Sequence, residues 1–203
     1  MGITNKKTVS FRENKSFDFM FSHFFWGHKK QFLDSSTNKY VLGLKNDLVV
    51  FNGEYFLEYL DRCSLFCSNM VFSGGILFFI SLVEAYEKLT LFFAVRCCQK
   101  FYVNKWFGGL ITNNLFLNDT SYAFILPNLK NANYVLRESS IKLIPTICIE
   151  DSDNCFHKGF YQLFGNDDKK DSIHLFYNTL SDSVIKSLLF TYAKQLNSIS
   201  LYQ

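Results

Sequence analysis

Proline is scarce in this 203-residue chain, with two residues, and no repeat, low-complexity block or composition shift marks a linker. One domain spanning residues 1–203 is the economical expectation. Neither charge sign dominates: 21 Lys plus Arg stand against 18 Asp plus Glu, a net charge of +3. That excess is too small to mark a nucleic-acid binder by itself. The longest dense apolar run, residues 74–83, includes Ser81 and ends at Glu84, well short of the roughly 20 residues a spanning helix needs, so no membrane segment is expected. Residues 1–15 have neither the apolar centre of a secretory leader nor the character of a transit peptide, and the expectation is a mature or locally synthesised start. Cys-x-x-Cys pairs are missing as well. Cys63, Cys67, Cys97, Cys98, Cys148 and Cys155 lie in or beside apolar segments and read as reduced thiols rather than zinc or redox ligands. Asn118-Asp119-Thr120 fits the glycosylation pattern, which a chain of reduced thiols has no occasion to use.

What is present is apolar bulk. Hydrophobic residues make up 48% and aromatics 18% of the chain, which excludes intrinsic disorder and suffices for one sizeable core. Phe (24), Asn (17), Lys (17) and Ile (12) are abundant, whereas Ala (5) and Arg (4) are few. The enriched residues have A/T-rich codons, so part of the Phe excess reflects the genome rather than the fold.

Apolar residues at steps of three and four predict a helix over 15–30, ended by Gly27, within an N-terminal extension and helix taken as residues 1–30. Two short β-prone runs, 40–44 and 48–51, read as a hairpin about Lys45-Asn46-Asp47. A helix follows over 53–70, then a strand at 76–80 apolar enough to be buried on both faces. A helical segment at 83–100 precedes strands at 121–126, 145–149 and 161–164, with a helix over 131–142 between the first two. The C-terminal helix, 167–197, carries Ile173, Tyr177, Leu180, Val184 and Leu188 on one stripe, with Asn166 or Asp167 as cap. Strands alternating with helices imply right-handed crossovers and a three-layer α/β/α sandwich with a mostly parallel sheet, flavodoxin-like or Rossmann-like.

Such a sandwich raises the expectation of a nucleotide enzyme, but neither Gly74-Gly75 nor Gly108-Gly109 belongs to a phosphate-binding glycine pattern, and no nucleophile elbow appears. Glu150, Asp151, Asp153, Asp167 and Asp168 follow predicted strands and could serve a magnesium enzyme or receiver-like domain. For Asp167 and Asp168 the first turn of a long helix is an equal explanation. Two other clusters, Gly27-His28-Lys29-Lys30 and Asn104-Lys105-Trp106-Phe107-Gly108-Gly109-Leu110-Ile111-Thr112-Asn113, combine cations, amides, aromatics and glycines suited to RNA phosphates, 2′-hydroxyls and bases. The plainer reading of the second is a packed turn with Trp106 and Phe107 as anchors and glycines at the bend.

The run from Asn104 to Asn113, preceded by Phe101-Tyr102-Val103, resembles the signature of the small-subunit ribosomal protein S-two family. Gly165-Asn166-Asp167-Asp168 is similar to that family's late Gly-Asn-Asp-Asp element, Trp26-Gly27-His28 to its early Gly-His element, and Ile144-Pro145 with Asp151-Ser152-Asp153 to its Ile-Pro strand and acidic loop. The matches keep family order from Trp26 to about Ser187. Phe25, Ile111, Asn154 and Phe164 depart from the pattern. Between Asn113 and Ser121 the family's projecting helical hairpin is reduced or absent.

The resemblance implies a non-catalytic constituent of the small ribosomal subunit that binds rRNA and neighbouring ribosomal proteins, with no cofactor, metal, membrane or small-molecule substrate. The A/T bias favours a mitochondrion, with a plastid as alternative. The rRNA-facing set is then His28, Lys29, Lys30, Asn104, Lys105, Trp106, Thr112 and Asn113, with Gly108 and Gly109 shaping the turn. Gly165, Asn166, Asp167 and Asp168 serve as loop and cap.

Overall fold

The structure is a computed structural model. It describes residues 18–20, 22–113, 121–153 and 159–200, with side chains as far as Lys194. The expectation of a shortened hairpin, the Asn118-Asp119-Thr120 match, Asn154 and Cys155 all fall outside the described residues.

Five strands form a parallel sheet: β4 (Ile76–Ile80), β5 (Lys100–Tyr102), β6 (Tyr122–Leu126), β7 (Thr146–Glu150) and β8 (Tyr161–Phe164). Their spatial order, β5-β4-β6-β7-β8, is the flavodoxin-like one, in which the chain reverses direction across the sheet between β4 and β6. The period of two along each strand sorts side chains onto two cores. Leu77, Phe79, Ala123, Ile125, Ile147, Ile149 and Leu163 face a large cluster with helices α1 (Gly53–Phe72), α2 (Glu87–Arg96) and α4 (Lys170–Ser200). Phe78, Ile80, Tyr122, Phe124, Leu126 and Cys148 face a smaller one, covered by α3 (Asn133–Ile141) together with Trp106 and Ile111. This is the expected three-layer α/β sandwich, with three helices on one face and one on the other.

Helix ends follow local rules. Asn52 caps α1 by accepting the Glu54 amide. At its other end the amides of Gly74 and Gly75 bond the carbonyls of Val71 and Met70, a Schellman closure with Gly74 left-handed at φ +82°. α2 and α3 close in the same way, but with Cys98 (φ +53°) and Leu143 (φ +54°) in the left-handed position.

The N-terminal segment differs from expectation. A helical turn at 18–20 is followed by turns, and Trp26–Lys29 is a strand, β1, rather than the end of a helix. It pairs antiparallel with β3 (Leu48–Phe51), which also pairs with β2 (Val41–Lys45) in the expected hairpin. The helical spacing arose because Phe19, Phe24 and Phe25 converge on Phe56 of α1, with Phe19 and Phe24 rings 4.7 and 4.4 Å from it, through a turn rather than along one helix. This three-stranded sheet docks on the parallel one through Val49 and Phe51, which cluster with Phe164, and Tyr40, just before β2, stacks 3.8 Å from the same ring. The C-terminal helix begins at Lys170, three residues later than expected. No described helix is long and apolar enough to cross a membrane.

Candidate nucleic-acid interface and acidic crevice

The sequence candidates fall on two supports. The first is a crevice at the carboxyl ends of β7 and β8, closed by β1. Gly27 makes the closure possible: a Cβ there would lie 2.9 Å from Ser152 Oγ and 3.1 Å from Asp151 Oδ1, so only glycine lets β1 approach. The His28 amide donates to Ser152 Oγ (2.8 Å). The Asn166 side chain donates to the Trp26 carbonyl (2.8 Å), and its amide to the Phe24 carbonyl (2.7 Å).

The crevice thereby places His28 among carboxylates. Nδ1 lies 3.2 Å from Asp151 and 3.8 Å from Asp153, and Nε2 3.1 Å from Asp168. Burial pulls the His28 pKa down, but Asp151, with Asp153 and Asp168 behind it, overcomes that and leaves it above the ordinary 6.5. Asp151 is fully buried, and among the described residues its Oδ2 has no hydrogen-bond partner. Burial raises its pKa against the pull of the Ser152 amide and His28. Asp167 is buried too, and burial with repulsion from Asp151 and Asp168 pushes it up to about 8. Lys130 pairs with Asp168, and Asn128 and the Tyr86 hydroxyl donate to the carbonyls of Asp167 and Asp168.

His28, Asp151 and Asp153 each bring a ligand atom within 4.8 Å of the others, so this trio has the spacing and donor types to hold a divalent cation. It is a different set from the five acids expected. Glu150 lies within β7 and accepts from Cys148 Sγ on the α3 face. Of the two cap candidates, Asn166 accepts the amides of Asp168 and Lys169 (both 3.0 Å), which orders the turn just before α4 starts at Lys170, while the Asp167 side chain is buried. Lys29 and Lys30 are exposed on β1 and just beyond it.

The second support is the 104–113 loop after β5. Trp106 is 8% exposed, packs edge-on against Tyr102 at 5.0 Å and turns its Nε1 toward Glu138 of α3. It anchors the loop from beneath instead of offering a stacking face. Phe107, by contrast, is 63% exposed, and Asn104, Lys105, Gly108 and Asn113 are exposed around it. Gly109 is left-handed at φ +96°, and a Cβ there would meet Asn113 Nδ2 at 2.7 Å. Its amide and those of Ile111 and Thr112 point inward to Glu138.

Glu138 was not among the sequence candidates. The available signal was its phase: on α3 it falls three residues after Val135, on the buried stripe with Val135 and Ser139, where an acid needs donors to be tolerated. Lys130, Asn128 and Tyr86 were missed because only the tertiary fold brings their loops to the crevice.

Fold and sites together define a class: a doubly wound α/β protein that lacks the phosphate-binding glycine fingerprint and displays a cationic, amide-rich loop. Within it, the chain belongs to the ribosomal protein S2 family, whose model matches residues 19–124, just over half of the chain. It is 25% identical over 189 residues to the small ribosomal subunit protein uS2m of Acanthamoeba castellanii, covering 88% of this chain and 61% of that protein. It is 28% identical over 88 residues to the small ribosomal subunit protein uS2 of Francisella tularensis subsp. tularensis, covering 43% of this chain and 37% of that protein. The uS2 of subsp. novicida matches to the same extent. The chain thus spans less than two thirds of the length of these relatives.

Proposed function

We propose that this chain is a structural, non-catalytic constituent of a mitochondrial small ribosomal subunit, holding small-subunit rRNA and neighbouring ribosomal proteins. The observation that carries the reading is the run resembling the family signature at 104–113, built as a loop braced on Glu138, with Lys105, Asn104, Phe107 and Asn113 exposed. Amide, cation and aromatic side chains at a fixed surface suit phosphate, 2′-hydroxyl and base contacts. His28, Lys29 and Lys30 form a second cationic group, in which Lys29 and Lys30 meet phosphate while His28 ties β1 to the crevice. The match with a mitochondrial relative over most of the chain supports the compartment. The small net charge suits this role, because affinity follows the phosphates neutralised rather than the total charge.

The test is sedimentation of a lysate from the native source through a sucrose gradient, at ordinary and then lowered magnesium, probing fractions for this chain. Co-migration with the small subunit under both conditions is the expected result. The organelle that yields the particle decides between mitochondrion and plastid. A chain that stays at the top of the gradient overturns the ribosomal assignment.

A further inference from the structure

We infer that Glu138 is the positioning residue of the rRNA-facing loop: its buried carboxylate, reaching in from α3, sets the geometry that lets Lys105, Asn104, Phe107 and Asn113 meet RNA. This rests on the ribosomal reading and adds to it a residue that touches no RNA itself, being 6% exposed.

Four donors from seven residues of loop converge on one carboxylate. Oε1 takes the Trp106 indole N–H (3.3 Å) and the Gly109 amide (2.8 Å), and Oε2 takes the amides of Ile111 (2.9 Å) and Thr112 (3.2 Å). The left-handed Gly109 bends the backbone so that its own amide and those of Ile111 and Thr112 aim the same way. Clustered backbone amides of this kind form a concave anion site. Here the anion comes from within the protein, so the amides of Gly109, Ile111 and Thr112 are already engaged and RNA meets the loop's exposed side chains. The Gly109 amide is therefore taken up by Glu138 rather than by phosphate, in keeping with the absence of a phosphate-binding glycine pattern at Gly108-Gly109.

The same bonds decide the charge on Glu138. Burial alone would raise its pKa, but the amides of Gly109, Ile111 and Thr112 with the Trp106 indole outweigh burial and hold it below the ordinary value. The loop is thus braced by a full negative charge at neutral pH. Glutamine, of the same shape, would put an N–H₂ group against N–H donors and break half of the constellation.

The experiment is a two-by-two cycle on the full chain, measuring affinity for in-vitro transcribed small-subunit rRNA across a salt titration. The four proteins are wild type, Lys105→Ala, Glu138→Gln and the double variant. Lys105→Ala is expected to weaken binding about fivefold near 0.15 M salt and to reduce the log–log salt slope by about one. Glu138→Gln should lose at least as much, although Glu138 contacts no phosphate and the substitution removes a negative charge that would otherwise oppose binding. In the Glu138→Gln background, Lys105→Ala should then have no further effect, because a displaced loop no longer delivers Lys105. Should the glutamine variant fail to fold by circular dichroism, Glu138→Asp, which keeps the charge one methylene short, is read in the same cycle.

Additive losses, or Glu138→Gln binding as wild type, would overturn the positioning role. A wild-type chain that binds but ignores Lys105→Ala removes the loop from the contact set and overturns the inference, leaving the ribosomal reading standing. A wild-type chain without salt-dependent rRNA affinity overturns that reading itself.

Discussion

Two buried carboxylates, Glu138 beneath the loop and Asp167 in the crevice, are almost equally hidden from water, yet they carry opposite protonation tendencies. Glu138 receives four N–H donors and is held below its ordinary pKa. Asp167 is pushed up to about 8 by burial first, and then by the neighbouring Asp151 and Asp168. On Glu138 the four donors outweigh the loss of water, whereas on Asp167 the loss of water prevails and the neighbouring acids add to it. A carboxylate ringed by amides behaves as a fixed anion, whereas a buried one facing other carboxylates holds its proton through neutral pH.

The largest test of the contrast is Glu138→Ala, which strands several inward donors. It should lower unfolding free energy by about 3 kcal/mol, read by urea denaturation at pH 7. Next comes Gly165→Ala, which disturbs the crevice without altering its charges. The added methyl would run into the buried Phe24 ring, and a loss of about 2 kcal/mol is expected by the same measurement. An unchanged midpoint would mean that the ring can move aside.

The pH profile sharpens the comparison further, because the two carboxylates act with opposite sign. The depressed Glu138 contributes stability that is present above its ordinary 4.5 and is lost as pH falls through its lower folded value. Asp167 keeps a proton in the native state from about 3.8 to about 8 that the unfolded chain does not hold, so stability falls as pH rises across that window. The raised His28 adds to the fall, since its contribution is complete below 6.5 and is lost above. The combined contribution of these groups should therefore be greatest at roughly pH 4 to 4.5 and decline above it. Asp167→Asn should flatten the decline toward pH 8.5 while changing stability little at the peak. An unaltered decline would remove Asp167 as its source.

The smallest expected effect comes from a site that touches neither carboxylate. Leu143 is left-handed and 89% exposed at the end of α3, so Leu143→Gly should gain about 0.5–1 kcal/mol. The gain should be independent of pH, which makes the variant a reference for the others.

Much of the parallel body was legible because its strands are nearly continuous apolar runs, as in Ile76–Ile80, and its long helices keep a stripe such as Ile173, Tyr177, Leu180 and Val184. Local patterning failed where the reason for a residue lies far along the chain. β1 exists through β3 and the Asp151-Ser152 turn, and nothing within residues 15–30 marks it. Trp106 looked like a base-stacking residue because composition does not show which way an aromatic points. Asp167 looked like a helix-dipole partner because sequence shows position in a turn but not enclosure. Glu138 alone carried a local clue, its phase on α3.

The attachment of β1 has a consequence for how the chain is made. Its hydrogen bonds reach from His28 to Ser152, 124 residues on, and from Trp26 to Asn166, 140 residues on. At about 5–20 residues per second, a ribosome synthesising this protein needs roughly 6–25 s after making His28 before Ser152 exists. During that interval β1 can pair with β3, and Phe19, Phe24 and Phe25 can gather on Phe56, since those partners follow within a few dozen residues. The carboxylates that engage His28 arrive late, Asp168 just ahead of α4. The crevice is thus a late clasp, fastened only once the chain has been made as far as Asp168, and a truncated product ending before Asp151 would leave the N-terminal sheet unfastened and its apolar underside exposed to capture by chaperones or proteases.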